Sequence, residues 1–347
     1  MKKDIRKQSL EQITDQLLTL DEKPFRAKQI WEWLWQKSAR SFDEMTNLSN
    51  ALRERLKESF VIHPIEIKDA QHSADGTIKS AFSLYDGNLV EGVLIPADDR
   101  MTACVSSQVG CSLSCKFCAT GYMDRVRNLD PGEIYDQVVA IHQQAVERFD
   151  KPLSNIVFMG MGEPLLNYKN VLVGIERITD EKGLNMSPKR ITLSTAGIAK
   201  MIKKLADDEV KFNLALSLHA ADDKKRNEIM PINETNTLDA LGEALQYFYS
   251  KTKNRITFEY IIFHHFNDEL VDAEYLWKFA KRVPSKINII EYNPISEADF
   301  LNAKTDKVDQ FADYLRQKGL IVNIRRSRGK DIDAACGQLA NKNKVAS

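Results

Sequence analysis

The chain has 347 residues, enough for one large core and an appendage, and its 43% hydrophobic and 28% charged composition is that of an ordinary globular protein. Lys plus Arg and Asp plus Glu number 49 each, which excludes a global electrostatic pull toward nucleic acid, so any RNA contact must come from local patches. No apolar run approaches the roughly 18 residues of a membrane span, and residues 1–7 lack the apolar stretch of a signal peptide, so no membrane association and a cytoplasmic location are expected.

Residues 1–62 read as an all-helical accessory unit. Leu10, Ile13, Leu17 and Leu18 form one stripe, and Pro24 opens a second helix carrying Ile30, Trp31, Leu34 and Trp35. Met45, Leu48, Leu52, Leu56 and Phe60 mark a third. Core packing accounts for the tryptophans, with RNA docking as the alternative. Residues 63–100 turn to strands. Alternation over 65–68, a run over 77–84, the turn Asp86-Gly87-Asn88 and a run over 89–95 make a β-hairpin extension. Glu91 sits in its last strand, where a carboxylate ordinarily faces solvent.

Cys111, Cys115 and Cys118 follow at C-x₃-C-x₂-C spacing on one short loop, enough to hold three irons of a [4Fe–4S] cube. With no further cysteine over 119–122, the fourth iron would stay open to another molecule, and Phe117 offers an aromatic wall beside it. A zinc site is the alternative, although zinc would want a fourth Cys or His close by. The other two of the five cysteines, Cys104 and Cys336, are by default inert buried residues.

From here strands and helices alternate. Strands are expected over 102–105, 155–159, 190–194, 212–218, 257–263 and 287–292. Helices are expected after Asp130-Pro131 and over 171–178, 198–205, 238–250, 270–283 and 308–318. Six βα units argue for a parallel sheet curled into a whole or partial barrel, with its site where strands end. Gly162 and Glu163 of Gly-Met-Gly-Glu-Pro lie at one such end, where glycine lets a ligand approach and a carboxylate could receive an ammonium group. Ser194, Ser217, Leu218, His219 and Asn293 lie at others and offer polar groups to the carboxylate and ribose of a nucleoside. Taken singly, the glycine motif would be a turn and His219 a structural histidine.

The cysteine spacing, with an aromatic before the third, resembles the radical S-adenosylmethionine (SAM) signature. The stretch from Cys104 to Cys111, the cluster loop with Ala119-Thr120-Gly121, the Gly-Met-Gly-Glu-Pro motif, Ser-Leu-His and Asp333-Ala334-Ala335-Cys336-Gly337-Gln338-Leu339 occur in one order. Together they resemble the RlmN/Cfr family of radical SAM RNA methyltransferases over nearly the whole chain. Pro164 is similar to the RlmN branch, which methylates C2 of adenosine, while the Cfr branch methylates C8. The fold implied is α/β: a radical SAM partial (β/α)6 TIM-like barrel over 101–347, with the helical domain at 1–62 and the short β-hairpin region at 63–100.

The resemblance also implies the chemistry. One [4Fe–4S] cluster would sit on Cys111, Cys115 and Cys118, with two SAM molecules used per turnover. Gly162, Glu163, Ser194, Ser217, Leu218, His219 and Asn293 would bind SAM. Cys336 would carry the methyl group, Cys104 would resolve the RNA adduct through a transient disulfide, and Glu91 would accept the C2 proton. The expected partners are 23S ribosomal RNA, transfer RNA next to the anticodon, and an electron donor such as flavodoxin or ferredoxin, for a protein acting as a monomer. The run 325–330 and Asp124-Arg125-Val126-Arg127 would supply cations for phosphates. Small neighbours of Cys336 predict a mobile segment. Two alternatives stand beside this: C8 methylation, and a zinc-stabilised RNA-binding protein without catalysis.

Overall fold

The computed structural model describes residues 2–341. After the short strand β1 (Lys3–Asp4) come helices α1 (Leu10–Thr19), α2 (Phe25–Trp35) and α3 (Asn50–Ser59), then β2 (Phe60–Val61), which pairs with β1. Ser9 and Gln12 form a capping box on α1, and Ser49 caps α3. Because Ser49 fixes the start of α3, Met45 and Leu48 lie before that helix, still buried, while Leu18 faces solvent.

The unit docks on a later helix, α4 (Pro131–Phe149). Trp35 meets the Tyr135 ring edge-on, and Tyr135 Oη donates to the Trp35 carbonyl at 2.6 Å. Arg6, 5% exposed, bridges Asp4 at 3.1 Å and Asp136 at 2.7 Å. Deleting one partner of a pair so buried costs about 3–5 kcal/mol. The apolar faces of α1–α3 are continuous with the core of the rest of the chain.

Strands β3 (Glu66–His72), β4 (Ile78–Ser83) and β5 (Leu89–Ala97) form an antiparallel meander, with Gly87 at φ +80° in the turn that brings Ser83 opposite Leu89. β6 (Arg100–Cys104) pairs with β5 antiparallel on one side and with a later strand in parallel on the other. The small pair β7 (Gln108–Val109) and β8 (Arg127–Asn128) brackets the cysteine loop and precedes α4.

The repeat then runs β9 (Asn155–Phe158), α5 (Tyr168–Thr179), β10 (Ile191–Thr195), α6 (Ala199–Asp207), β11 (Asn213–Ser217), α7 (Asp223–Ile229), α8 (Leu238–Thr252), β12 (Ile256–Ile261), α9 (Leu270–Ala280), β13 (Ser285–Ile290), α10 (Thr305–Gln317) and β14 (Ile321–Arg325). One ten-stranded sheet results, in the order β14-β13-β12-β11-β10-β9-β6-β5-β4-β3, parallel from β14 to β6. It is an open, partial barrel that the meander extends. Phe258 meets Phe279 of α9 and Tyr260 meets Phe311 of α10, so the alternate residues Thr257, Glu259 and Ile261 face the barrel interior.

Two elements go beyond the sequence expectations. β14 is a seventh parallel strand, whose end merges into the basic run and so reads as charge. α7 is too polar, Asp-Lys-Lys-Arg-Asn-Glu-Ile, to show an apolar stripe. Among the described residues no helix is long and apolar enough to cross a membrane.

Candidate functional site

The cysteine loop is held by backbone contacts made where glycine is required. A Cβ on Gly110, at φ +73°, would lie 2.0 Å from the Asp124 carbonyl oxygen, and one on Gly121 would lie 2.6 Å from that of Cys115. Lys116 N–H donates to the Ile229 carbonyl at the end of α7 at 3.0 Å. Cys115 and Cys118 border an apolar cluster of Phe117, Met230, Ile261, Phe263 and Tyr292. Burial pushes the Cys111 thiol up to about 11, Cys118 above its usual value and Cys115 well above it.

A metal centre bound here would have to displace the proton from each of these thiols, as thiolate ligation requires. Among the described residues no three Cys, His, Asp or Glu side chains converge on a single metal ion. A zinc site would want a fourth ligand at a single ion, while a cluster takes each of three thiolates at a separate iron.

The strand ends surround this loop. A Cβ on Gly162, at φ +90°, would meet Gln108 Cβ at 2.4 Å, and Gln108 Oε1 accepts the Glu163 N–H at 2.8 Å. The Glu163 carboxylate, 3% exposed, accepts the N–H groups of Leu165 at 3.0 Å and Ala196 at 2.7 Å. Burial raises its pKa, and among the described residues no cationic side chain pairs with it, so an incoming ammonium group would find an uncompensated partner. Ser194 Oγ and Ser217 Oγ lie 3.2 Å apart. Leu218 is fully buried, and its N–H donates to the Glu259 carbonyl at 3.0 Å.

His219, at φ +55° and 3% exposed, accepts the Ile261 N–H on Nδ1 at 3.2 Å and sits edge-on to Phe117. Burial first, then the charge of Arg226, depress its pKa to about 3, so the imidazole is neutral and its proton lies on Nε2. Asn293 donates Nδ2 to the Cys336 carbonyl at 3.2 Å, while its Oδ1 is buried without a partner. An orphaned buried acceptor calls for a ligand donor. The residues present thus fit both a three-thiolate cluster and a ligand with an ammonium and a hydrogen-bond donor.

Two residues central to this arrangement carried no sequence signal. Arg226, completely buried, donates to the carbonyls of Leu218 at 3.1 Å, Ala196 at 2.6 Å and Ser217 at 3.3 Å, and to Asn233 Oδ1 at 2.6 Å. It ties two strand-end turns together, faces Cys115 electrostatically, and among the described residues forms no ion pair with a carboxylate. Asn267, also fully buried, donates to the carbonyls of His219 at 2.7 Å and Ile261 at 2.9 Å. Their partners are mostly backbone carbonyls, those of Ala196 and His219 lying 30 and 48 positions away, which no local pattern announces.

Cys104 and Cys336 lie within electrostatic reach of each other, and the chain just after Cys336 reaches Glu91. Cys104 ends β6, nearly buried, and Cys336 is solvent-accessible. All five cysteines are free. Burial and then the nearby Cys336 push the Cys104 thiol far up. Surrounding protein also raises the Cys336 thiol, which Arg325 pulls down and Glu259 and Cys118 push up. Cys336 therefore lies within electrostatic reach of both Cys104 and the cysteine loop. Ala119 N–H donates to the Gly337 carbonyl at 2.7 Å, and Thr120 Oγ1 to that of Leu339 at 2.6 Å, so the two segments are directly bonded.

Glu91 is not solvent-facing. It is 1% exposed, because the chain after Cys336 lies across it: Oε2 accepts the N–H groups of Ala340 at 2.9 Å and Asn341 at 3.1 Å, and Lys79 Nζ stands 3.8 Å from Oε1.

The basic stretches are less free than their composition implies. Arg127 is held by Glu133 at 2.8 Å and Asp86 at 2.5 Å. Arg326 and Lys330 fold onto Glu291 at 3.1 and 2.9 Å. Among the described residues, Arg125 and Arg328 remain exposed without a carboxylate partner.

Comparison with known proteins follows the same division. Residues 4–62 match the family model described as the ribosomal RNA large subunit methyltransferase N-terminal domain, and residues 105–275 match the radical SAM superfamily. The chain is 64% identical to the probable dual-specificity RNA methyltransferase RlmN of Cytophaga hutchinsonii, over 98% of this chain and 93% of that protein. It is 43% identical to the correspondingly named protein of Bacillus velezensis, over 96% and 92%. Among solved structures, a radical SAM methyltransferase from Sphaerobacter thermophilus superimposes with a TM-score of 0.91 at 37% identity, covering 97% of this chain and 99% of that one.

Proposed function

The chain belongs to the RlmN family of the radical SAM superfamily, and on that premise we propose that it methylates C2 of an adenosine in 23S ribosomal RNA and of one in transfer RNA, using Cys336 as methyl carrier. The observation that supports this reading is the neighbourhood of Cys336, a solvent-accessible thiol within electrostatic reach of Cys104, on a segment bonded to the cysteine loop through Ala119 and Gly337.

A [4Fe–4S] cluster on Cys111, Cys115 and Cys118 supplies, when bound, the electron that turns SAM into a hydrogen-abstracting reagent. The remaining steps are the chain's own. Glu163 receives the SAM ammonium group, Asn293 Oδ1 accepts a donor from the same molecule, and the hydroxyls of Ser194 and Ser217 face its polar groups. Neutral His219 and Phe117 wall the site, and His219 adds no positive charge beside a sulfonium.

Cys336 sulfur, having given up its proton, first attacks the methyl carbon of one SAM: the S–CH₃ bond forms, the bond from that carbon to the SAM sulfur breaks, and S-adenosylhomocysteine leaves. A second SAM is consumed when that carbon is transferred to adenine. Glu91 takes the C2 proton, and Cys104 then attacks Cys336 sulfur, so the Cys104–Cys336 disulfide forms as the methylated base leaves. An adenine reached in so enclosed a site must be flipped out of its stack. The helical unit over residues 1–62 docks the RNA, Arg125 and Arg328 meet phosphates, and the enzyme works as a cytoplasmic monomer with a flavodoxin- or ferredoxin-like electron donor.

The test is nucleoside chromatography of an RNA substrate after anaerobic turnover. Co-elution of the product with 2-methyladenosine supports the reading. A product running with 8-methyladenosine moves the reaction to the other carbon, and no product from cluster-loaded enzyme sinks it.

A further inference from the structure

The carrier segment is fastened by holds of two kinds. Neutral groups hold its middle: Asn293 Nδ2 on the Cys336 carbonyl, Gln338 Nε2 on the Pro294 carbonyl at 3.1 Å, and the Ala119 and Thr120 donors on Gly337 and Leu339. Carboxylates hold its two ends. Upstream, Asp75 accepts the Gly329 N–H at 2.9 Å, while the Asp331 carboxylate accepts from Ser73 Oγ at 2.6 Å. Downstream the hold is Glu91, whose single oxygen Oε2 takes two consecutive N–H groups, with the Asn341 side chain adding a bond to the Leu89 carbonyl at 2.8 Å.

Two backbone donors on one oxygen of a carboxylate that is 1% exposed form a charge-assisted contact in a dry place. We infer that Glu91 is the latch of the Cys336 segment: while ionised it pins Ala340 and Asn341, and a proton arriving on it lets the segment go. A protonated carboxyl has an O–H bond where an acceptor lone pair stood and has lost the charge that roughly doubled the strength of both bonds. Lys79, 5% exposed and reaching the Asp333 carbonyl at 3.5 Å, loses its counter-charge at the same moment.

The release half rests on the proposed role of Glu91 as acceptor of the adenine C2 proton. In that step the C2–H bond breaks, its electron pair stays with the ring, and an O–H bond forms on Glu91. The protonated carboxyl cannot take the displaced segment back, so the segment stays free while Cys336 sulfur turns to Cys104. Before that, the latched segment covers Glu91, so RNA must displace Ala340 and Asn341 to bring adenine to the carboxylate. The latch itself is independent of any reaction.

The experiment uses the full-length protein without RNA. Deuterium uptake of peptides over 334–341 and the rate of Cys336 alkylation by iodoacetamide are followed by mass spectrometry in wild type, Ala340→Pro and Glu91→Gln. Proline deletes one donor and leaves Glu91 intact. Glutamine has the shape of the protonated acid without the charge. Both variants should raise uptake and alkylation roughly tenfold, as loss of a charge-assisted bond predicts, with uptake of β10 and α4 unchanged.

Wild-type rates in both variants overturn the latch. A rise in Ala340→Pro alone overturns its dependence on charge. Uptake raised throughout the chain overturns it in favour of simple destabilisation. RNA methylation is not measured, so these outcomes stand apart from the fate of the methyltransferase reading.

Discussion

Asn293 Nδ2 holds the Cys336 carbonyl at 3.2 Å while its buried Oδ1 is left without a partner. The residue proposed to bind SAM therefore also holds the backbone of the proposed carrier thiol.

Asn293→Ala should accordingly weaken both functions. Each lost hydrogen bond is worth about 1 kcal/mol, so methylation of Cys336 should slow about tenfold to a hundredfold and KM for SAM should rise. Transfer of label from methyl-labelled SAM to protein measures both. A KM effect with an unchanged maximal rate would leave Asn293 a SAM ligand only.

Arg226→Met keeps much of the volume but strips donors from three carbonyls and from Asn233 at once. Burial has already depressed the guanidinium pKa to about 10, so its cost is borne by these bonds. Removing them should destabilise the metal-free protein by about 3–5 kcal/mol. The turns bearing Ala196, Ser217 and Leu218 should lose hydrogen-exchange protection first. Urea denaturation and exchange read the two effects, and a loss below about 1 kcal/mol would contradict the structural role.

His219 gives stability a pH signature. Its folded pKa of about 3 lies below the ordinary 6.5, so between these values the unfolded chain binds a proton that the folded one refuses. Stability is then full above pH 6.5 and falls as pH drops toward 3. The loss is about 2 kcal/mol between pH 6.5 and 5, on 1.4 kcal/mol per unit. Urea midpoints of the metal-free protein should show this slope and His219→Asn should lack it. Equal slopes in the two proteins would contradict a buried neutral imidazole.

What the sequence made legible was local. The cysteine loop, Gly162-Glu163 and Ser217-Leu218-His219 are short turns whose residue types state their own requirements, and each lies at a strand end. The helical stripes and the Asp86-Gly87-Asn88 hairpin are equally local. Long-range cover was not legible. Glu91 reads as a surface carboxylate because the segment that buries it lies about 250 positions away. Arg127 reads as an RNA contact because Asp86, one of the two carboxylates that hold it, lies 41 positions away. Arg226 and Asn267 bond mostly to backbone carbonyls, which have no identity in a sequence at all.

The central claim is that Cys336 carries the methyl group, and mass spectrometry of the digested protein after anaerobic incubation with SAM tests it most directly. A mass gain of one methylene on the Cys336 peptide, retained in Cys104→Ala and absent in Cys336→Ala, is the result expected. An unmodified Cys336 in protein with an intact cluster would contradict the carrier role while leaving the fold and the SAM site in place.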